Sequence, residues 1–503
     1  MNRSKKFMYN AIASAAYQVI VMLIGFITPR LMLVAYGSEI NGMVSSVTQF
    51  VSYFNLVQAG LSGAAIFALY RPLAEEDYDD ISSILTATAN FYYKSGILFS
   101  ALLTMLAILY PMFIKTSALN SVNISILIFA IGFNSIIDFF LLAKYSALLT
   151  ADQKNYILSI GSIVSVVINF VIVVVMTYLR VNIVLLKLIA ISSVMARSII
   201  LYVYCYKRYS YIDYHATPNY EALSKRWSAF YLQLLQVIQK GAPAVLLTFM
   251  AKLSDVSIFS IFNMVITGLS GLLDIFISGL SASFGDVITR GEQKTLQRAY
   301  KDFEFAYYGM ITIVYSIAFV LIMPFIRIYT DGIIDANYNQ PILGALSVIN
   351  AYLYNIKTPQ GMLVISAGLY KETRWQSTIQ VLLIVIPGMI LTPILGIAGI
   401  ILALMISNLY RDIDLILYIP KTVTKLPVWY SIKNLLISNA AFLLSVFCMS
   451  FLITEKMSDY FEWALYSVLT VVVVALIWCI IAVTTNKLRF LSAMYRVLGM
   501  IYR

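Results

Sequence analysis

The sequence predicts an all-α integral membrane protein of about fourteen transmembrane helices, arranged as two six-helix lobes in parallel pseudo-repeat plus two C-terminal helices. Three observations carry this. The 503 residues are 61% hydrophobic and only 12% charged, whereas soluble domains run nearer half apolar and a quarter charged. Apolar stretches of the roughly 20 residues that a bilayer requires recur along the whole chain. Lysine and arginine concentrate in alternate connecting segments.

The elements follow in order. The start, "MNRSKKFMYNAIASAAYQVIVMLIG", has a basic beginning, but its apolar run is too long for the core of a signal peptide, so it reads as the first span. Six spans are expected near 8–34, 42–70, 86–110, 122–148, 156–178 and 183–205, giving an N-terminal lobe over 1–205. A polar linker over 206–227 precedes six more, near 228–250, 255–288, 303–325, 340–366, 377–393 and 397–418, which make a C-terminal lobe over 228–418. A linker and two added spans near 434–454 and 461–484 fill 419–484, and a basic amphipathic tail occupies 485–503. In that tail Leu491, Tyr495 and Leu498 share one face and Arg489 and Arg496 lie elsewhere, the pattern of an interfacial helix.

Basic residues set the orientation. With the N-terminus inside, the inner segments hold Lys5, Lys6, Lys207, Arg208, Arg290, Lys294, Lys371, Arg374, Arg411, Lys421, Lys487 and Arg489 among others. The opposite loops hold only Lys115, Arg180, Lys252, Arg327 and Lys456. This is the positive-inside asymmetry, and it places both termini in the cytoplasm. It also accounts for the net charge of +11 without nucleic acid, since no Lys/Arg-rich tract interleaves with aromatics. The single His215 and the cysteines Cys205, Cys448 and Cys479 have no metal or redox spacing. No connection is long enough for a soluble catalytic domain, so no cofactor and no enzyme activity are expected, and transport leads.

Local echoes support duplication. "QAGLSGA" recurs as "ISGLSAS", and aligning Gly60 with Gly279 sets Asn55 opposite Asp274. "LLTADQKNY" resembles "VISAGLYKE", and aligning Ala151 with Ala367 sets Asn134 opposite Asn350. Both halves start from the same side, so the repeat is parallel.

Polar residues then fall in stripes. Asn263, Thr267, Ser270, Asp274 and Ser278 line one helical face of the eighth span. Gln233, Gln236 and Lys240 share a face in the seventh, and Ser347, Asn350, Tyr354 and Lys357 in the tenth. The first span offers Asn10, Ser14 and Gln18; the second offers Ser45, Gln49 and Ser52, with Asn55 nearby. Two readings stay open: interhelical hydrogen bonding, or a hydrated cavity that accepts the mid-span charges Asp138, Lys240, Asp274 and Lys357. Asp274 and Asp138 could bind a coupling ion, or Lys240 could pair with Asp274. Lys94, Lys144 and Arg197 read as snorkelling anchors.

The stretch "YGSEINGMVSSVTQFVSYFNLVQAGLSGAAIFALYRPLAEEDYDDI" at 36–81 and "TADQKNYI" at 150–157 resemble the oligosaccharide flippases of the superfamily that also contains multidrug/cation extruders and peptidoglycan-precursor flippases. Gln58 departs from the pattern, standing where similar translocases often carry an acid. The resemblance implies alternating access in the bacterial cytoplasmic membrane. Its cargo would be an undecaprenyl-diphosphate-linked oligosaccharide, with polysaccharide polymerase and glycosyltransferases as partners. Lys240, Lys357 and Arg30 could meet the diphosphate, and the Gln, Asn, Ser and Tyr stripes the sugar hydroxyls. A multidrug/cation antiporter of similar fold and a peptidoglycan lipid-precursor flippase are the alternatives. Arg30 itself lies 24 residues past Lys6, about 36 Å at 1.5 Å per residue, which puts it at the outer interface or at the cavity's outer mouth.

Overall fold

The computed structural model describes the backbone of residues 3–58, 61–114, 116–223, 226–277, 280–452 and 457–501. Side chains are described for these residues apart from 3–4, 7, 222, 226–230, 232–233, 275–276, 282, 452 and 486–501. The regular structure among them is helical throughout. Two compact units divide the chain, Met1–Ser257 and Ile258–Arg503.

In the first unit α1 runs over Arg3–Phe54, α2 Leu61–Glu75, α3 Tyr78–Phe113, α4 Ser121–Ile137, α5 Ala143–Ala151, α6 Asn155–Tyr178, α7 Ile183–Arg208 and α8 Arg226–Met250. Helix α9, Leu253–Ile277, starts there and continues into the second unit, followed by α10 Leu280–Thr289, α11 Gln293–Tyr329, α12 Pro341–Ile356 and α13 Thr358–Ser366. Then come α14 Arg374–Leu395, α15 Ile397–Ile419, α16 Val428–Leu452 and α17 Tyr460–Ile501.

Ten described helices are long and apolar enough to cross a membrane, so the chain is a multi-pass membrane protein. The other expected spans are present in altered form, each for a local reason. The first two share α1, Arg3–Phe54, with the end of the second falling in α2, Leu61–Glu75. They are divided not by a loop but by Gly37, whose φ of 80° and ψ of 173° break α1 in a region open essentially to glycine alone. The span near 228–250 shows its apolar part as the shorter Leu234–Met250. The span near 340–366 breaks between α12 and α13 at Lys357, because Pro359 brings no N–H and its ring crowds the carbonyl four residues back. The last is α15, which carries three charges, Arg411, Asp412 and Asp414, within one hydrocarbon-length stretch. Helix α17 runs on through the expected tail without a break, while the side chains of Leu491, Tyr495, Leu498, Arg489 and Arg496 lie outside the described residues.

Short side chains cap the helix starts where the sequence turns. Asp77 accepts from the Asp80 amide at 3.0 Å, Asn120 from Asn123 at 2.8 Å and Asn182 from Val184 at 2.8 Å, each satisfying an N–H that the helix leaves unpaired. Close packing relies on small residues. A Cβ on Gly42 would sit 1.8 Å from the Leu253 carbonyl oxygen, so the backbones of α1 and α9 touch there. In the second unit α14 and α15 are joined by the single residue Gly396, at φ 59°. Gly399 lies so close that a Cβ would be 2.3 Å from the Leu391 carbonyl oxygen. Exposed Leu465, Val468, Val472, Leu476 and Ile480 on α17 form an apolar outer surface, as hydrocarbon contact requires.

Candidate functional site

The first unit carries a polar seam between α1 and α8. Thr248 donates to Ser46 at 2.8 Å, and a Cβ on Gly241 would touch the Tyr53 ring at 2.7 Å. Both contacts are seven residues apart on each helix, so they fix one antiparallel register. That register sets Asn55 and Gln58 level with the turn of α8 that holds Gln236 and Lys240. Gln236 and Lys240 are exposed, while Gln49 and Asn55 are half-buried. The side chain of Gln233 lies outside the described residues. Gln18 is exposed further back on α1. Arg30 is half-buried seven residues before the Gly37 break, about 10 Å along the helix. That end of the unit is marked by the Tyr36 hydroxyl, which donates to the Val181 carbonyl at 2.8 Å in the turn between α6 and α7.

Other residues of the first-span stripe serve as interhelical bonds. Asn10 donates to the Gln153 carbonyl at 2.9 Å and accepts from the Tyr156 amide at 2.8 Å. Ser14 lies 3.4 Å from Ser159. Beside them Asp152 accepts from Lys6 at 2.8 Å, Lys154 at 2.6 Å and Tyr209 at 2.7 Å. Burial alone would raise the Asp152 carboxyl, but the donors Lys154, Lys6 and Tyr209 outweigh it and hold the group below the usual carboxylate range. The "TADQKNYI" stretch is therefore the turn that clasps α1 to α5 and α6. Asp138 begins a single π-helical turn, Asp138–Leu142, and lies 3.7 Å from the Arg197 guanidinium. Arg197, half-buried on α7, is thus an ion-pair partner of the half-buried Asp138.

The second unit gathers more of the candidate residues. Lys357, at the α12–α13 break, donates to the Asn408 side-chain oxygen, and Asn408 donates to Asn350 at 3.0 Å. The Lys357 ammonium also lies 4.4 Å from the centre of the Tyr354 ring, a cation–π contact. Exposed Asp274 on α9 acts electrostatically on Tyr354, Tyr307 and Tyr315. Ser270, one turn earlier, lies 3.3 Å from the Tyr315 hydroxyl. Asn355 ties this wall together, accepting from Tyr307 at 2.8 Å and donating to Tyr315 at 2.7 Å. Asp274, Asn350, Tyr354 and Lys357 therefore belong to one polar locus, whereas Asn263 is exposed nearly three turns further back on α9. Lys240 belongs to the first unit and Asp274 to the second.

Two buried acids were not among the sequence candidates. Glu304, fully buried on α11, accepts from Tyr300 at 2.8 Å, Gln360 at 3.0 Å, Ser431 at 2.7 Å and Asn434 at 2.9 Å. Asp412 on α15 is 4% exposed, and neither of its carboxylate oxygens has a hydrogen-bond partner among the described residues. The cluster "RDID" at 411–414 was the visible signal for the second. Arg411 pairs with Asp414 at 2.6 Å and is buried.

The fold and its embedded polar locus define an all-helical membrane protein built like known transporters. Solved structures of the same fold include a lipid II flippase in an inward-closed conformation, with a TM-score of 0.70 at 14% identity over 95% of this chain and 99% of that one. They also include an inward-facing multidrug resistance MATE family transporter of the MOP superfamily, at 0.66 and 15% identity over 79% of this chain and 93% of that one. A third is a MOP superfamily transporter from Pyrococcus furiosus, described as having a binding pocket of reverse polarity, at 0.53 and 14% identity over 82% and 93%. No family model matches the sequence. No curated protein matches it either.

Proposed function

We propose that this protein is a flippase that moves undecaprenyl-diphosphate-linked oligosaccharide units from the inner to the outer leaflet of the bacterial cytoplasmic membrane by alternating access. The observation that carries the reading is the Lys357 locus. An ammonium held inside an apolar helical unit, beside an aromatic ring and two asparagines, offers a diphosphate a cationic partner and a sugar neutral donors and acceptors. Lys240, with Gln236 and Asn55 at its level, supplies the same chemistry in the first unit, and Arg30 would meet the head group on release. The prenyl tail would stay in lipid. Both termini are cytoplasmic in this reading, and the two halves work as paired repeats.

The test uses a deletion strain carrying plasmid-borne variants. Lipid-linked repeat units should accumulate facing the cytoplasm without the gene, with drug sensitivity unchanged. Lys240→Ala and Lys357→Ala should restore flipping poorly at normal membrane abundance. Full complementation by both variants would remove the proposed site, and normal surface polysaccharide in the deletion strain would remove the function.

A second reading, flipping of a peptidoglycan lipid precursor, is favoured by coverage. The lipid II flippase matches 95% of the chain and the MATE transporter 79%. Its cargo shares the diphosphate, so the accumulating lipid identified by mass spectrometry separates the two. Asp274 beside Tyr354 is the feature that a cation antiporter would use, and drug sensitivity in the deletion strain tests that case.

A further inference from the structure

The buried carboxylate of Asp412 is the group in the second unit least matched to its surroundings. Among the described residues neither oxygen has a hydrogen-bond donor, and Asp412 is 4% exposed. A carboxylate stripped of water and donors is costly, and such a group escapes the cost by taking up a proton. Asn408, one turn earlier on the same face of α15, already holds the Lys357 ammonium. Lys357 is thus held one turn from Asp412 on α15, and among the described residues it makes no hydrogen bond to the carboxylate.

From α11 and α12 the phenols of Tyr308 and Tyr352 lie within electrostatic reach of the carboxylate. On its own helix Arg411 is engaged by Asp414 at 2.6 Å. Helix α13 has no charged residue. The charged residues of α14 and α16 are Arg374, at the start of α14, and Lys433, in the second turn of α16. Lys421 begins the segment that follows α15.

We propose that Asp412 is an exchangeable-proton site whose occupancy sets the positive charge that Lys357 presents to an anionic diphosphate ligand. The step is a protonation alone: the carboxylate takes one proton from water and becomes a carboxylic acid, and Lys357 stays an ammonium. Without the proton the pair is neutral and the acid competes with an incoming anion for Lys357. With it the pair carries one net positive charge, and the anion has no competitor. By linkage the proton and the anion then strengthen each other's binding by the same factor. This second half rests on the anionic-cargo reading; the proton site does not.

The test uses the full-length protein in lipid nanodiscs, with Asp412→Asn and Lys357→Gln compared at matched gel-filtration profiles. Infrared difference spectra between alkaline and acidic pH should show a protonated-carboxyl stretch that Asp412→Asn removes. In Lys357→Gln the stretch should persist to higher pH, because the charge favouring the carboxylate is gone. Binding of farnesyl diphosphate should tighten on acidification by roughly tenfold more in the unmodified protein than in Asp412→Asn, within the usual range for coupled sites. The asparagine variant serves to subtract the titration of the probe itself. No stretch assignable to Asp412 overturns the proton site, and one unmoved by Lys357→Gln overturns its link to Lys357. Equal pH dependence in both proteins overturns the coupling. No binding at any pH, with the stretch intact, overturns the coupling together with the cargo class and upholds the proton site.

Discussion

Replacing Glu304 with alanine removes an acceptor that four donors share. Tyr300, Gln360 and Ser431 converge on one carboxylate oxygen and Asn434 on the other, joining α11, α13 and α16 in a fully buried position. Each donor left unpaired in such a place costs about 1–3 kcal/mol, so four of them cost about 4 kcal/mol at the low end. Rotation of the Ser431 and Tyr300 hydroxyls toward other acceptors offsets part of this. Glutamine is the discriminating variant: its carbonyl oxygen can serve the same three donors, and Asn434 can turn its own oxygen toward the new amide. Glu304→Gln should then cost only about 1–2 kcal/mol, the charge assistance of the lost bonds. The assay is the temperature at which half the protein survives as a monodisperse gel-filtration peak, followed by fluorescence. Alanine should lower it on the order of 10 °C and glutamine by a few degrees. Equal, small shifts for both variants would show that the four bonds do not hold the helices together, and the reasoning would fail.

Two more outcomes follow from the geometry. Gly42→Ala would drive a methyl group into the Leu253 carbonyl, and because the obstacle is backbone, α1 and α9 must part. Folded yield and thermal survival should fall sharply, with overpacking of about 1–3 kcal/mol or more. Gly25→Ala, which meets nothing within 4 Å, should match the unmodified protein; equal behaviour of the two variants would refute the close approach. The Asp152 clasp has a defined pH response. Its carboxyl is depressed in the folded protein, so its stabilisation is fully present above the unfolded value of about 3.9 and is lost as pH falls through the lower folded value. The difference in thermal midpoint between the unmodified protein and Asp152→Asn should hold steady near neutrality and close below about pH 4. A difference that closes between about pH 5 and 8 would refute the assignment.

The helical membrane fold was legible because hydropathy reports each span independently of its neighbours. Lys357, Tyr354, Asn350 and Asp274 were legible for a related reason: polar residues at helical spacing in hydrocarbon-length segments need partners, and periodicity finds them. The identity of those partners was not legible. Arg197 reads as an anchor from its position alone, and its pairing with Asp138 across α4 and α7 is visible only in the fold. Arg411 looks interfacial by position, though its partner three residues on was in plain view. Glu304 gives no sequence signal, since its four donors come from positions 300, 360, 431 and 434, which only folding brings together. Asn10 and Ser14 take the other course that the sequence left open, since both hold α1 to its neighbour α6 and the turn before it.

The single-residue junction at Gly396 has a mechanical consequence. A connector with no spare length makes α14 and α15 behave as one folded plate, because neither helix can slide along its axis without carrying the other. The plate's free edges are the turn at 367–373 and the π-helical stretch Pro420–Thr424. Asn408 and Asp412 ride on that plate, whereas Lys357 is rooted at the α12–α13 break. A tilt of a few degrees therefore changes the distance between amine and carboxylate while leaving both helices intact.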